Sequence, residues 1–287
     1  MERKIKSYLN FLSKEKKLSN NTIQSYTRDI DQFKKYVNEN NINYLEISEK
    51  ELNKYFDYLK DNGKKSTTIS RNIATIRAFY NYLLREDIIK KDPTRNIKSP
   101  KIDKKKSVAL TSDEVTTLLN QPSTDDLKGL RDKAMLEFAY ATGMKVSEIV
   151  ALNIDDFDEE NQSVTCKSGK RSRTIKLGAL TVNALTEYIE VSRYNLLKSN
   201  SEKALFVNTN GSRLTRQGFW KIIKYYKDQA NIDKEITPHV LRQSFATHLF
   251  QTGIDTKTVQ TMLGLSDVYA AQSYKKIDFD GNIKTQL

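Results

Sequence analysis

The sequence contains little cysteine, histidine, proline or glycine. Its 287 residues include one cysteine, two histidines, four prolines and ten glycines. The single Cys166 excludes an intramolecular disulfide framework and a cysteine-cluster metal site, and it fits a reducing compartment. His239 and His248 would lie about half a turn apart around one helix, so they cannot share a metal ion there, and we expect a structural role for His248. The scarcity of proline and glycine favours a mainly helical fold.

Long apolar runs are also missing. No stretch approaches the roughly 20 residues needed to span a bilayer, and the charged start MERKIKSYLNF lacks the apolar centre of a secretory signal. We therefore expect a cytoplasmic protein with no membrane partner. At 287 residues the chain exceeds the usual size of one domain, so its length predicts two domains, each able to bury its own core.

Basic residues outnumber acidic ones. Lysine and arginine outnumber aspartate and glutamate by 48 to 36, which gives a formal net charge of +12 at pH 7. Such an excess predicts a polyanionic partner, because binding to phosphates releases their counterions, and nucleic acid is the leading candidate. A membrane surface is the rival, but the basic residues are spread along the chain instead of gathered in one amphipathic helix. A role in solubility alone stays open.

The first hundred residues show the apolar spacing of amphipathic helices. Helices predicted to begin near Glu2, Asn21, Ser48 and Ser66 indicate a small all-helical domain over residues 1–97. On the fourth helix, short polar side chains and an arginine flank the apolar stripe. Such donors can reach the groove edges and phosphates of DNA, although a solvated face would look the same. This candidate DNA-binding face consists of Thr68, Arg71, Asn72 and Thr75.

A lysine-rich segment separates this domain from the rest of the chain. Residues 98–107 break the helical period and predict a linker, which either stays solvated or lies along a DNA backbone. The lysines of the linker that we expect to contact DNA are Lys101, Lys104, Lys105 and Lys106.

The second domain, over residues 108–287, is predicted to be mainly α with a small β-hairpin. Capping residues and apolar spacing predict long helices over about 126–142 and 215–230. Alternating residues on both sides of the turn-forming SGKRS predict a hairpin with a basic tip, and ALFVN predicts a further short strand. At the tip, Lys170 and Arg171 are expected to bind DNA.

Three short segments hold the side chains best suited to phosphate chemistry. In ATGMKVSE, Lys145 stands at a helix start, which disfavours a cation unless an anion lies nearby. In ITPHVLRQSFATHL, a threonine cap and a proline mark a helix start, and His239 and Arg242 are neighbours on its face, where anions bind easily. In LGLSDVYAAQSY, Tyr274 can act as a nucleophile if cations stabilise the developing charge.

The sequence resembles a known family through these same segments. In order and spacing, ATGMKVSEIVAL, PHVLRQSFATHL and LGLSDVYAAQSY are similar to the three signature boxes of the tyrosine recombinase (phage integrase) family, especially its Xer-like and transposon-borne members. NTIQSYTRDIDQFKKYV and the run from RNIATIRAFYNYLL to NIKSPK resemble the family's first domain, so the resemblance covers nearly the whole chain. It implies an N-terminal helical core-binding (SAM-like) bundle and a C-terminal α+β catalytic domain.

The resemblance implies a transesterification without metal or cofactor. Tyr274 matches the nucleophile, which forms a 3′-phosphotyrosyl link and releases a 5′-hydroxyl, and Arg242 and His239 match the groups that assist at the phosphate. The lysine that protonates the leaving oxygen is matched by Lys167, with Lys170 as runner-up, because this hairpin departs from the commoner spacings. The implied partners are double-stranded DNA with inverted-repeat recombination sites and further copies of the chain, four on two DNA sites.

Three positions depart from the family pattern. Lys145 replaces the first catalytic arginine, Leu265 replaces a usual histidine or tryptophan, and Gln243 replaces a frequent histidine. Because a lysine lacks the planar fork of arginine, we expect weakened catalysis with DNA binding largely kept. Either the chain tolerates this change naturally or it is an engineered, slowed variant, which is the interpretation we favour. The alternative function is a catalytically inactive DNA-binding protein of the same fold.

Overall fold

The computed structural model describes residues 1–101, 108–168, 171–199 and 201–277, without the side chains of Ser168 and Arg171. The chain divides into two compact units, Met1–Lys104 and Lys105–Leu287, which we call the N-terminal and the C-terminal unit. Several predicted DNA contacts lie outside the described residues, namely Lys104, Lys105, Lys106, Lys170 and the side chain of Arg171.

The N-terminal unit contains the predicted helical bundle. Ser19 begins the second helix by accepting a hydrogen bond from the Thr22 N–H, and Ser48 and Glu51 form a capping box at the start of the third. The apolar faces of the helices meet in one core that includes Tyr8, Phe33 and Phe79. The helices are α1 (Glu2–Lys14), α2 (Asn20–Glu39), α3 (Glu49–Asp61) and α4 (Ser66–Arg85).

The polar face of α4 is only partly accessible. Asn72 and Thr75 are 0% exposed, so the prediction that they belong to a DNA-binding surface is wrong. Thr75 Oγ1 donates to Asp29 Oδ2 over 3.0 Å, and Arg71 Nη2 donates to Asp29 Oδ1 over 2.9 Å. The reason is that α2 covers this side of α4, where the buried carboxylate of Asp29 needs donors. Arg71 remains exposed and Thr68 half-buried.

The C-terminal unit is mainly helical, as predicted. Its longest helix, Leu127–Thr142, agrees with the predicted span of about 126–142. This helix ends at Gly143, whose φ of +54° turns the chain toward Lys145. The π-helical segment Tyr188–Arg193 joins α8 to α9. The helices are α5 (Ser112–Leu119), α6 (Leu127–Thr142), α7 (Val146–Ile149), α8 (Ala179–Glu187), α9 (Tyr194–Leu196), α10 (Arg216–Gln229), α11 (Pro238–Gln251), α12 (Thr256–Leu263) and α13 (Val268–Lys275).

A small antiparallel sheet contains the predicted hairpin. Its strands lie in the order β1 (Phe157–Asp158), β2 (Ser163–Ser168) and β3 (Arg171–Lys176). Both hairpin strands extend into the predicted turn SGKRS and thus run further toward the tip than predicted. Cys166 pairs with Arg173 and Lys167 pairs with Ser172, which places these two pairs on opposite faces. The short strand predicted for ALFVN is wrong, because Ala204 and Val207 form only isolated bridges.

Two apolar clusters form the interior of the C-terminal unit. The larger one packs α5, α6, α10 and the sheet together, with Phe138, Phe206 and Phe219 among its members. The smaller one holds α11, α12 and α13 together and includes Phe245 and Tyr274. Among the residues that the structure describes, no helix combines the length and apolar character that a membrane span requires.

Candidate active site

The first turn of α11 sets the position of the central residues of the site. Thr237 Oγ1 accepts a hydrogen bond from the Val240 N–H over 3.3 Å, and Pro238 occupies the first helical turn. This cap fixes where the helix begins. His239 and Arg242 follow three residues apart and therefore lie on neighbouring parts of the same helical face.

Arg242 is buried and joins two backbone segments. Its side chain is 4% exposed, Nη1 donates to the Gly143 carbonyl over 2.7 Å, and Nη2 donates to the Leu263 carbonyl over 2.9 Å. Each of these terminal nitrogens carries two hydrogens, so each keeps one N–H beyond the bond described. The two carbonyls thus hold the guanidinium plane in place while part of its donor capacity stays available for a phosphate.

His239 and Tyr274 face one another. Their ring centroids lie 6.4 Å apart, and α13, which carries Tyr274, is tied to α11 by the Thr247 hydroxyl, which donates to the Tyr274 carbonyl over 3.4 Å. Tyr274 is 8% exposed. Desolvation among these neighbours, and secondly the charge of Arg242, lower the pKa of His239. A neutral imidazole therefore lies beside the tyrosine at neutral pH.

Lys145 lies at the exposed edge of the same region. Its backbone N–H donates to Glu148 Oε2 over 3.0 Å, and its carbonyl accepts the first bonds of α7. The side chain is exposed, and no hydrogen bond or ion pair to its ammonium comes from the part of the chain that the structure describes. Since Gly143, two residues earlier, receives Arg242, the backbone brings Lys145 close to the buried arginine with its charge accessible.

A largely buried ion pair, which the sequence did not predict, lies beside the backbone of Lys145. Arg173 Nη2 donates to Glu148 Oε2 over 2.8 Å, and Arg173 Nε donates to the Met262 carbonyl over 3.2 Å. Burial opposes the ionisation of Glu148, but the bonds from Arg173 and from the Lys145 N–H outweigh it and lower the pKa of the carboxyl. One signal in the sequence was Glu148 itself, because a glutamate three residues after a helix cap commonly bonds the cap N–H.

Lys167 lies apart from these groups. Its ammonium forms an ion pair with Asp156 over 2.8 Å, on the hairpin face opposite Arg173, and the lysine side chain is 71% exposed. This bond raises the pKa of Lys167. Burial opposes ionisation of Asp156, but the bonds from Lys167 and the Asn153 N–H lower its pKa. The structure thus brings His239, Arg242 and Tyr274 together, with the backbone of Lys145 two residues from the Gly143 carbonyl that Arg242 bonds, and no described contact joins Lys167 to these groups.

The remaining positions singled out in the sequence lie outside this group of residues. Leu265 packs against the cluster of α11, α12 and α13, as expected for a leucine, and Gln243 is buried. His248 Nδ1 bonds the Tyr140 hydroxyl over 2.6 Å at the other end of α11 from His239. In the N-terminal unit, Lys101 is exposed.

Two family models match this chain. Residues 109–280 match the model of the phage integrase family, and residues 5–87 match that of the phage integrase N-terminal SAM-like domain. The chain therefore belongs to the phage integrase family, and the predicted resemblance and fold are confirmed. It is a tyrosine recombinase, a class of enzyme that cleaves and rejoins DNA.

Relatives and solved structures agree with this assignment. The chain is 44% identical over 275 residues to the tyrosine recombinase XerD of Staphylococcus epidermidis, covering 95% of this chain and 93% of that protein. It is 41% identical over 279 residues to XerD of Staphylococcus aureus, covering 96% and 95%. The fold is similar to that of the XerH site-specific recombinase bound to a palindromic difH substrate, with a TM-score of 0.72, 23% identity and coverage of 90% and 77%.

Proposed function

We propose that this chain recombines DNA at specific sites, with Tyr274 as the nucleophile. The observation that carries the assignment of roles is the meeting of Tyr274, His239 and Arg242 beside the exposed Lys145, in a chain that belongs to the phage integrase family. A phosphodiester placed against these groups meets a nucleophile, a proton acceptor and two cations.

The proposed reaction exchanges one phosphodiester for another. The Tyr274 oxygen attacks the phosphorus, a bond to it forms, the bond from phosphorus to the 5′-oxygen breaks, and a 3′-phosphotyrosyl link results. The tyrosine gives up its proton, for which neutral His239 is the neighbouring acceptor, and the leaving oxygen takes up a proton as a 5′-hydroxyl. The 5′-hydroxyl of a partner strand reverses these steps. Because one phosphoester replaces another, the exchange needs no nucleotide hydrolysis.

The two cations have different roles in this proposal. Arg242 presents its remaining N–H groups from a buried, fixed plane, so it binds non-bridging phosphate oxygens with defined geometry. Lys145 brings charge but no fork, so it attracts the phosphate while giving less stabilisation to the transition state than an arginine would. We therefore propose a slow enzyme rather than an inactive one.

Lys167 is the proposed general acid, and it must leave Asp156 to act. The lysine side chain is 71% exposed, although the Asp156 side chain that it bonds is only 9% exposed. A DNA phosphate that approaches the open side of the ammonium can therefore compete with the carboxylate for it. Once released from the carboxylate, the lysine can donate its proton to the 5′-oxygen. Arg71, Thr68 and Lys101, all at least partly accessible, remain proposed backbone contacts in the N-terminal unit.

The stoichiometry of strand exchange suggests the assembly. Each chain supplies one nucleophile, and the exchange of two duplexes requires four strand cleavages, so four copies would act on two sites. Two copies related by a twofold axis read an inverted repeat, because the symmetry of the site mirrors that of the protein. A chromosomal or mobile-element DNA substrate in a bacterial cell would place the protein in the cytoplasm.

A suicide substrate tests the proposed chemistry. A duplex nicked near the cleavage position traps the covalent intermediate, because the short product diffuses away and religation cannot follow. We expect a protein–DNA adduct that disappears in Tyr274→Phe. The matched control is Tyr269→Phe, which removes a hydroxyl from the same helix at a side chain that is 77% exposed.

The second candidate function is DNA binding without catalysis, which Lys145 and Leu265 favour. It predicts no adduct from the unaltered chain and none from Lys145→Arg, with DNA affinity preserved in both. An adduct that survives in Tyr274→Phe would instead show that another residue is the nucleophile.

A further inference from the structure

Two arginines connect the same two segments of the C-terminal unit. The first segment, Gly143–Glu148, carries Lys145, and the second is the carboxyl end of α12. Arg242 joins them through the Gly143 and Leu263 carbonyls. Arg173 joins them again, through Glu148 and the Met262 carbonyl. We call this pair of connections the arginine clamp.

The second arm of the clamp is closely fitted. Arg173 is 15% exposed, and its Nη1, Nη2 and Nε all donate, to Glu148 Oε1 over 3.4 Å, to Glu148 Oε2 over 2.8 Å and to the Met262 carbonyl over 3.2 Å. A Cβ added at Gly264 would lie 2.5 Å from Arg173 Nη1, and Gly264 has a φ of +61°. The residue at position 264 must therefore lack a Cβ and adopt the left-handed backbone conformation, so that the guanidinium can lie against the end of α12.

Both connected segments lead directly to reactive groups. Glu148 Oε2, which Arg173 holds, also accepts the N–H of Lys145 and thereby fixes the backbone from which that side chain extends. The carboxyl end of α12 is followed, after a short turn, by α13, which carries Tyr274. A carbonyl at a helix end also attracts a cation, which adds to the attraction between Arg173 and this segment.

We propose that Arg173 is a positioning residue for strand cleavage. It holds the Gly143–Glu148 segment, which carries Lys145, in a fixed position relative to the carboxyl end of α12, which leads to Tyr274. This inference rests on the proposed function of Tyr274 and Lys145. Arg173 is not itself a phosphate ligand, because its guanidinium is buried and three of its nitrogens already donate within the protein. Lysine cannot replace it, since a single ammonium cannot reproduce a fork that bonds Glu148 twice and a carbonyl once.

Arg173→Lys tests the proposal with a conservative change. In single-turnover cleavage of a nicked duplex, we expect the rate constant to fall roughly tenfold, as the loss of one charge-assisted hydrogen bond implies. The dissociation constant for DNA and its dependence on salt should stay unchanged. Arg193→Lys is the matched control, because Arg193 is also largely enclosed, at 7% exposure, and bonds the Ala204 and Glu202 carbonyls away from the clamp.

Two further readouts separate positioning from general stability. In a Lys145→Ala background, the effect of Arg173→Lys on cleavage should shrink, because one of the two groups being positioned is gone. Hydrogen exchange of the Lys145 amide should accelerate in Arg173→Lys and not in Arg193→Lys, and this readout does not depend on catalysis.

Each outcome decides the matter. Unchanged exchange at Lys145, an equal loss of cleavage in both backgrounds, or a weaker salt dependence of DNA binding would overturn the positioning role. If the unaltered chain forms no adduct, the proposed function fails, and the exchange measurement alone then decides whether Arg173 holds the Lys145 segment.

Discussion

Lys145→Arg is the substitution that most directly probes how the site handles a phosphate. The backbone at this position is fixed, because Glu148 accepts the Lys145 N–H and is itself held by Arg173. The side chain is exposed, so an arginine has room. The substitution keeps the charge and changes one ammonium into a planar fork, while Arg242 is left untouched.

The magnitude follows from the number of donors. An arginine can give a phosphate two parallel N–H bonds where the lysine gives one, and a hydrogen bond to a charged group contributes about 1.5–3 kcal/mol. The lower end applies, because the position is open to water. Since about 1.4 kcal/mol corresponds to a factor of ten, we expect cleavage to accelerate about tenfold.

The assay is single-turnover formation of the covalent adduct on a nicked duplex, with protein in excess. DNA affinity and its salt dependence should hardly change, because the net charge is the same. Lys145→Ala is the companion variant: it should slow cleavage and lower the salt dependence by about one counterion. The reasoning is refuted if Lys145→Arg cleaves within twofold of the original rate, or if its gain disappears at saturating DNA.

Three further expectations concern the restraint on Lys167, the packing at Gly143 and the response to acid. Asp156→Asn keeps an acceptor for the backbone but loses the ion pair, so cleavage should rise, up to about fivefold, and the gain should vanish when Lys167→Ala is added. Gly143→Ala places a Cβ 2.3 Å from a phenylalanine ring atom at a φ of +54° and should lower the free energy of unfolding by about 1–3 kcal/mol in urea. Gly253→Ala, also at positive φ but with nothing within 4 Å, should cost less. Burial and the nearby Arg242 lower the pKa of His239 in the folded chain below its ordinary value of 6.5, so at acidic pH this histidine binds more protons in the unfolded chain than in the folded one. The free energy of unfolding should therefore fall as the pH drops from 7 to 5, and His239→Gln should make this dependence on pH less steep.

Local signals in the sequence were sufficient for the main elements of the fold and for placing His239 and Arg242 on one helical face. Ser48 with Glu51 and Thr237 with Pro238 cap helices where the spacing predicted them, since capping depends on neighbours within one turn. His239 and Arg242 share a face for the same reason. The meeting of these residues with Tyr274, by contrast, was implied only by the resemblance, because it depends on the packing of α13 against α11.

The mistakes concern side chains whose partners lie far away in the sequence. Asn72 and Thr75 have the spacing of a surface stripe, but α2 buries them, and its Asp29 supplies a polar partner within the interior. Helical periodicity shows which face of a helix is apolar, but it does not show whether a neighbouring helix covers a polar face as well. In the sheet, the faces of Lys167 and Arg173 depend on register, and a slip by one residue would exchange them.

The cations of the site differ in how much of their donor capacity the protein itself uses. Arg173 uses three nitrogens on Glu148 and Met262 and is enclosed, so it can hold backbone segments but not substrate. Arg242 uses one hydrogen of each terminal nitrogen and keeps the others, which suits a group that must be both fixed and available. Lys145 uses none of its side-chain donors on described residues and is exposed. If this ordering governs the reaction, the enclosed arginines set the geometry of the site, and the cleavage rate is limited by Lys145, whose ammonium no described residue orients.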